Sequence, residues 1–147
     1  MLSLALIIAL GLTGIGYSAW LDMVNINGTV EVGSWGVGLT NAFGTTDNTS
    51  LSVGPSNVLN ITLTQTSAGT TYSGVFDVSD NGTVPIKIQS ILPVTPPSGI
   101  ASITVGGVGV GTVIEPGAPI GATVDIVVST DGSYLIPITF VAVNWNQ

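Results

Sequence analysis

Hydrophobic and polar positions follow two regimes along this chain. From Met1 to Ala19 there is no charged side chain, and Leu2, Leu4, Leu6, Ile7, Ile8 and Leu10 form an apolar run. From Val24 onward the pattern has a period of two, the spacing of a strand with one buried face. Val24, Ile26, Val30 and Val32 alternate with Asn25, Asn27, Thr29 and Glu31, and Gly28 interrupts the apolar face. A glycine inside a strand marks a bulge or a close backbone approach. Gly33-Ser34 shifts the phase, so that Trp35, Val37 and Leu39 share a face.

The alternation recurs through the rest of the chain. Leu59, Ile61 and Leu63 define one face, and Tyr72, Phe76 and Val78 another. Val84, Ile86 and Ile88 follow, then Ala122, Val124, Ile126 and Val128, then Tyr134, Ile136, Ile138, Phe140 and Ala142. Asp80-Asn81-Gly82 and Asp131-Gly132 have the composition of tight hairpin turns with positive φ. Pro93, Pro96 and Pro97 break the chain, and Glu115-Pro116-Gly117-Ala118-Pro119 reads as a further loop. Pro85 and Pro137 fall within strand patterns, which places those strands at sheet edges or at bulges. Many short strands with turn signals between them predict an all-β fold, a two-sheet sandwich of jelly-roll or Ig-like type.

Composition narrows the function. The chain has 147 residues, 45% hydrophobic and only 6% charged, against about 25% charged in an ordinary soluble domain. Its polar surface is therefore made of Ser, Thr, Asn and Gly, which salt barely affects. Lys87 is the sole basic side chain and the net charge is −7, which leaves no grip on nucleic-acid phosphates or anionic lipid headgroups. There is no histidine and no cysteine. Ser-His-Asp, Cys-His and HExxH sites are thereby excluded. Asp47, Asp80 and Asp131 fall in turns, where Asp serves the backbone. No catalytic residue, cofactor or metal ligand is assigned. Asp77 to Gly82 presents oxygens of a kind that bind Ca²⁺, but a turn is the simpler reading. Gly106 to Gly111 lacks GxGxxG spacing and reads as a strand end or turn. Asn27, Asn48, Asn60 and Asn81 each begin an N-x-[ST] glycosylation pattern.

The apolar run at 1–19 ends in Gly16-Tyr17-Ser18-Ala19, small residues suited to a signal peptidase. The chain thus divides into a hydrophobic signal segment, 1–19, an N-terminal strand, 20–34, and a sandwich domain, 35–147. An amphipathic strand at the end of a mature chain is free to pair with another copy.

The stretch Gly16-Tyr17-Ser18-Ala19-Trp20-Leu21-Asp22, followed by Val30-Glu31-Val32-Gly33-Ser34-Trp35-Gly36-Val37, resembles the TasA/camelysin family of exported biofilm-fibre proteins. Val24 to Val30 and the ending Val143-Asn144-Trp145-Asn146-Gln147 look most like the archaeal members that form bundling pili. The resemblance implies cleavage between Ala19 and Trp20. It also implies a jelly roll completed by a donor strand from a neighbouring subunit, here Val24, Ile26, Gly28, Val30 and Val32. The expected protein is a secreted, glycosylated structural subunit of an extracellular filament. Its partner is itself, head to tail, with lateral bundling possible and membrane contact only through an uncleaved N-terminal segment. Metalloprotease activity, ascribed to some members, has no support in a chain without histidine. Two other readings are a type IV pilin-like subunit, which keeps its hydrophobic helix in the filament core, and a membrane-anchored surface adhesin. For the adhesin, Trp20, Trp35 and Trp145 would be the sugar platforms, although core packing is the simpler role for them.

Overall fold

The structure is a computed structural model that describes residues 33–93 and 95–146. These belong to one compact unit, Val32–Gln147. Nine strands follow in order: β1 (Val37–Gly44), β2 (Thr49–Val53), β3 (Val58–Thr66), β4 (Thr71–Asp80), β5 (Ile86–Leu92), β6 (Ile100–Gly106), β7 (Val113–Ile114), β8 (Ile120–Val128) and β9 (Gly132–Asn144). They form two antiparallel sheets, β1-β4-β8-β6 and β2-β3-β9-β5-β7. The all-β, two-sheet sandwich read from the alternation is thus the fold.

The inner faces are the ones that the period-two pattern marks. Leu59, Ile61 and Leu63 of β3 and Ile136 and Ile138 of β9 are buried in one sheet. Phe76 and Val78 of β4 and Ala122, Val124, Ile126 and Val128 of β8 are buried in the other. Phe76 and Phe140 meet with ring centroids 5.6 Å apart and planes tilted by 53°, an aromatic pairing worth about 0.5–1.5 kcal/mol beyond area burial.

Turn chemistry misleads where the pattern does not. Asp80-Asn81-Gly82 and Asp131-Gly132 do not close hairpins. Each carries the chain from one sheet to the other, and none of these residues has positive φ. Among the described strands only β2 and β3 are neighbours both in sequence and in a sheet, joined through Ser56 and Asn57 at φ 59° and 56°. Elsewhere the chain alternates between sheets, so local turn composition cannot reveal its destination.

Pro85 lies just before β5 rather than inside it, and its carbonyl accepts a hydrogen bond from the Trp145 N–H at 3.1 Å. Pro137 sits in β9, the middle strand of its sheet, but β9 changes partner along its length. Gly132 to Thr139 pair with β3, and Thr139 to Asn144 pair with β5. At Pro137 only β3 is alongside, so the strand is locally an edge and a missing N–H is tolerated.

Two further expectations are corrected. Trp35 and Trp145 are not core residues; each is 52% exposed, because Trp35 precedes β1 and Trp145 follows β9, beyond the reach of the opposite sheet. Membrane contact is withdrawn as well. Among the described residues no helix is long and apolar enough to cross a membrane, the only helical piece being the single turn Pro55–Asn57. The segment 1–19 that carried that expectation lies outside the described residues.

Replacing Phe76 by Ala removes a fully buried ring from the contact between the sheets. Urea denaturation should show a loss of about 3–5 kcal/mol. The same change at Phe43, which is 57% exposed, should stay within about 0.5 kcal/mol of the parent.

Candidate functional site

The two flanks of the sandwich are built differently. On one flank β1 runs directly into β2 through residues 45–48. There the Thr45 N–H donates to the Ser73 carbonyl at 2.9 Å, the Ser73 N–H donates to the Thr46 hydroxyl at 2.9 Å, and the Thr64 N–H donates to the Asn48 carbonyl at 2.9 Å. Leu51 of β2 fills the space above Gly74 of β4, where an added Cβ would come within 2.6 Å of it. This flank is sealed by main-chain hydrogen bonds and side-chain packing.

The opposite flank, between β5 and β6, is not. The β6 strand pairs with β8 on one side and with no described strand on the other. The free edge of β5 is covered only at its start. Beyond β7, the Gly111 N–H donates to the Ile88 carbonyl at 2.8 Å and the Ile88 N–H donates to the Thr112 carbonyl at 2.9 Å. From Gln89 to Leu92 no described strand continues that cover.

Between these edges lies a cleft of about 380 Å³ lined by Ile91, Ile103, Val105, Val108, Val110 and Ile138 among others, with no charged side chain in its lining. Ile103 and Val105 pair with Ile126 and Val124 of β8 and so point toward the core. Yet they remain only half-buried, whereas Ile126 and Val124 are each 1% exposed. Val108 plugs one part of the flank at 3% exposure, and Val110 stands 70% exposed. The glycine run 106–111 forms the end of β6 and the loop after it, with Gly107 and Gly111 at φ 80° and 90°. Gly107 lies against the Gly121 backbone, where a side chain has no room.

The residues assigned to the donor strand, Val24, Ile26, Gly28, Val30 and Val32, lie outside the described residues, as do Ala19, Trp20 and Asn27. The described chain begins beside the β4–β5 connection. The Ser34 N–H donates to the Thr83 hydroxyl at 3.0 Å, the Thr83 N–H donates to the Ser34 carbonyl at 2.7 Å, and the Asn81 N–H donates to the Gly36 carbonyl at 2.9 Å. Gly82 lies under the backbone of Ser34 and Trp35, which leaves no space for a Cβ.

The three other glycosylation candidates differ in setting. Asn48 is exposed in the β1–β2 turn at φ 61°. Asn60 is half-buried within β3, between Ser52 and Pro137, and its amide occupies the space beside Gly54. Asn81 is exposed, and its side-chain oxygen accepts from the Ser79 hydroxyl at 3.3 Å.

Among the described residues the acids do not converge. Alternation along β4 turns Asp77 outward and Asp80 inward, so the Asp77–Gly82 stretch cannot wrap one ion with both carboxylates. Among the described residues no group of three or more acidic, cysteine or histidine side chains is placed to hold a metal. Asp80 is 3% exposed. One of its oxygens accepts from the Gly82 N–H at 2.7 Å and the other has no hydrogen-bond partner.

The cleft residues Ile103, Val105, Val108 and Val110 carry a sequence signal only in part. Ile103 and Val105 alternate with Ser102 and Thr104, but the glycine run that follows hides where the strand ends and where Val108 points. Neither a family model, a curated protein nor a solved structure matches this chain.

Gly82→Ala tests the anchoring of the first described residues. It should cost about 1–3 kcal/mol in thermal or urea denaturation. It should also speed proteolytic cleavage near Ser34, because the displaced backbone loses its bonds to Asn81 and Thr83.

Proposed function

We propose that the chain is a structural subunit of an extracellular filament, in which the β5–β6 flank of one copy receives the strand Val24–Val32 of the next. The carrying observation is the open flank. Half-buried inward-facing Ile103 and Val105 adjoin a seven-residue strand edge with no partner among the described strands. An entering strand would supply both main-chain partners for β6 and apolar cover for the cleft. The alternation of Val24, Ile26, Val30 and Val32 suits it to a cleft with no charged lining.

The magnitudes are consistent with such a link. Four buried Val or Ile side chains contribute roughly 6–12 kcal/mol gross, while association costs about 4–15 kcal/mol in lost freedom and ordering. Apolar burial alone roughly balances that cost, and the hydrogen-bond ladder along β6 tips it. A head-to-tail contact that does not close on itself propagates as a fibre. In this reading the segment 1–19 is removed between Ala19 and Trp20, the subunit works outside the cell, and no reaction is assigned to it. Lateral bundling is favoured by a surface with few ions to desolvate.

The test is deletion of Trp20–Val32. The truncated chain should be secreted as a folded monomer, and a synthetic Val24–Val32 peptide should raise its thermal midpoint. Val105→Asp should block both that rise and the polymerisation of the full chain. Fibres formed by the truncated chain would refute the link.

Glycan attachment follows from accessibility in the same exported setting. Mass spectrometry of tryptic and chymotryptic peptides from the secreted chain should find sugar on Asn48 and none on Asn60, whose amide is enclosed within the sheet.

A further inference from the structure

We infer that the outer face of the β1-β4-β8 sheet carries a binding site for a neutral pyranose sugar, built on Phe43, Asn41 and Asp77. The inference rests on the fold alone and not on the filament reading. The site lies toward the β1 edge, whereas the β5–β6 cleft lies at the opposite flank, so the two can be occupied together.

The register places the parts. On the outward face Phe43 is opposite Val75, which is opposite Thr123. In the next row Asp77 lies between Thr40 and Gly121. Gly121 has no side chain, and the only atom within 4 Å of where its Cβ would stand is an Asp77 carboxylate oxygen at 3.8 Å. The result is a shallow hollow of about 470 Å³ bordered by Phe43, Asn41, Asp77 and Thr123, with Val75 in its floor.

A local irregularity sets the polar groups. Between Thr40 and Phe43 the β1 register slips, and Asn41 adopts φ 51°, a region that costs a non-glycine residue about 1 kcal/mol or more. Bulges re-aim side chains. Here the bulge brings the Asn41 amide to donate to Asp77 Oδ2 at 2.7 Å. It also leaves the Phe43 ring 57% exposed on the same face. Neither feature serves the core, since Phe43, Asn41 and Asp77 all face away from it.

The combination fits a sugar. The apolar C–H face of a pyranose stacks on an aromatic ring, while adjacent hydroxyls donate to a carboxylate and accept from an amide. Asp77 and Asn41 offer that acceptor and donor side by side, Asp77 on the neighbouring strand and diagonal to Phe43. The ligand is neutral because an anionic sugar would meet the Asp77 carboxylate in a chain of net charge −7. A hollow this shallow holds one sugar residue at a time and binds it weakly.

The test uses the purified chain with cellohexaose, maltohexaose and mannohexaose as neutral probes and hexagalacturonate as the anionic one, followed by isothermal calorimetry. At least one neutral hexaose should bind and hexagalacturonate should not. Phe43→Ala and Asp77→Ala should each weaken binding by about tenfold or more, a change equivalent to about 1.4 kcal/mol, with the thermal midpoint unchanged for Phe43→Ala. Phe43→Trp should preserve binding, and Asp77→Asn should reduce the discrimination against hexagalacturonate. Absence of binding by all three neutral probes would overturn the assignment. So would neutral-sugar binding indifferent to Phe43→Ala, or hexagalacturonate binding as tightly as the neutral probes.

Discussion

The contact between two apolar sheet faces is the interaction on which the rest of this structure depends. With 6% charged residues and no cysteine, neither ionic networks nor disulfides can hold the strands in place. Cohesion comes from Leu59, Ile61, Ile136 and Ile138 on one side, and Phe76, Val124 and Ile126 on the other, all essentially excluded from water. Burying each such side chain contributes about 1.5–3 kcal/mol, and that gain is realised only where a flank is closed against solvent. The β1–β2 corner closes one flank with the molecule's own chain. At the other flank Val108 does part of the work, and Ile103 and Val105 are left half-covered.

The partner exchange of β9 sets where β5 ends. Its first half needs β3 and its second half needs β5, so β5 ends at the middle of β9 and the chain leaves through the proline-containing stretch after Leu92. The bulge between Ile88 and Ser90 bends β5 at about the point where the Gly111–Thr112 cover ends. A longer β5 would run beside Leu135 to Pro137, where Leu92, Pro93 and Pro97 now border a separate hollow. The cleft itself opens alongside Ser90 to Leu92, past the point where β7 and Gly111-Thr112 cease to cover the edge of β5.

Much of this was legible in the residues. Apolar residues at every second position of Leu59–Leu63, Tyr72–Val78, Ala122–Val128 and Tyr134–Ala142, broken only at Gly74, mark buried faces because each of these strands has one side on the core and one on solvent. The destinations of the connections were not legible. Asp131-Gly132 has the composition of a hairpin, yet it links two sheets, since turn residues fix local backbone geometry and not which strand comes to lie alongside. The β7 pair is too short to show a period. The β1 bulge depends on Asn41 in a left-handed conformation, which a sequence reading of alternation passes over. The exposed positions of Trp35 and Trp145 follow from where strands begin and end, a boundary that period alone leaves open. The cleft was missed, because Ile103 and Val105 alternate with Ser102 and Thr104 over too short a stretch before the glycine run, and the donor-strand positions fall outside the described residues.

The sheet edges argue further about which surface is available for pairing. Unprotected strand edges invite association, and proteins blunt them with charge, proline, bulges or shortness. The β1 edge has a bulge at Asn41 and a hydrogen-bonded turn at its end. The β2 edge has five residues and β7 has two. The β6 edge is seven residues long, contains neither charge nor proline, and departs from regular pairing only between Ile100 and Ser102. Among the described strands, protection is thus present on the β1, β2 and β7 edges and weakest on β6, which together with the uncovered end of β5 borders the apolar cleft. Under the proposed function that asymmetry has a use: a subunit that takes one strand from a neighbour needs a receiving edge left open while the other edges are kept from competing for the same strand.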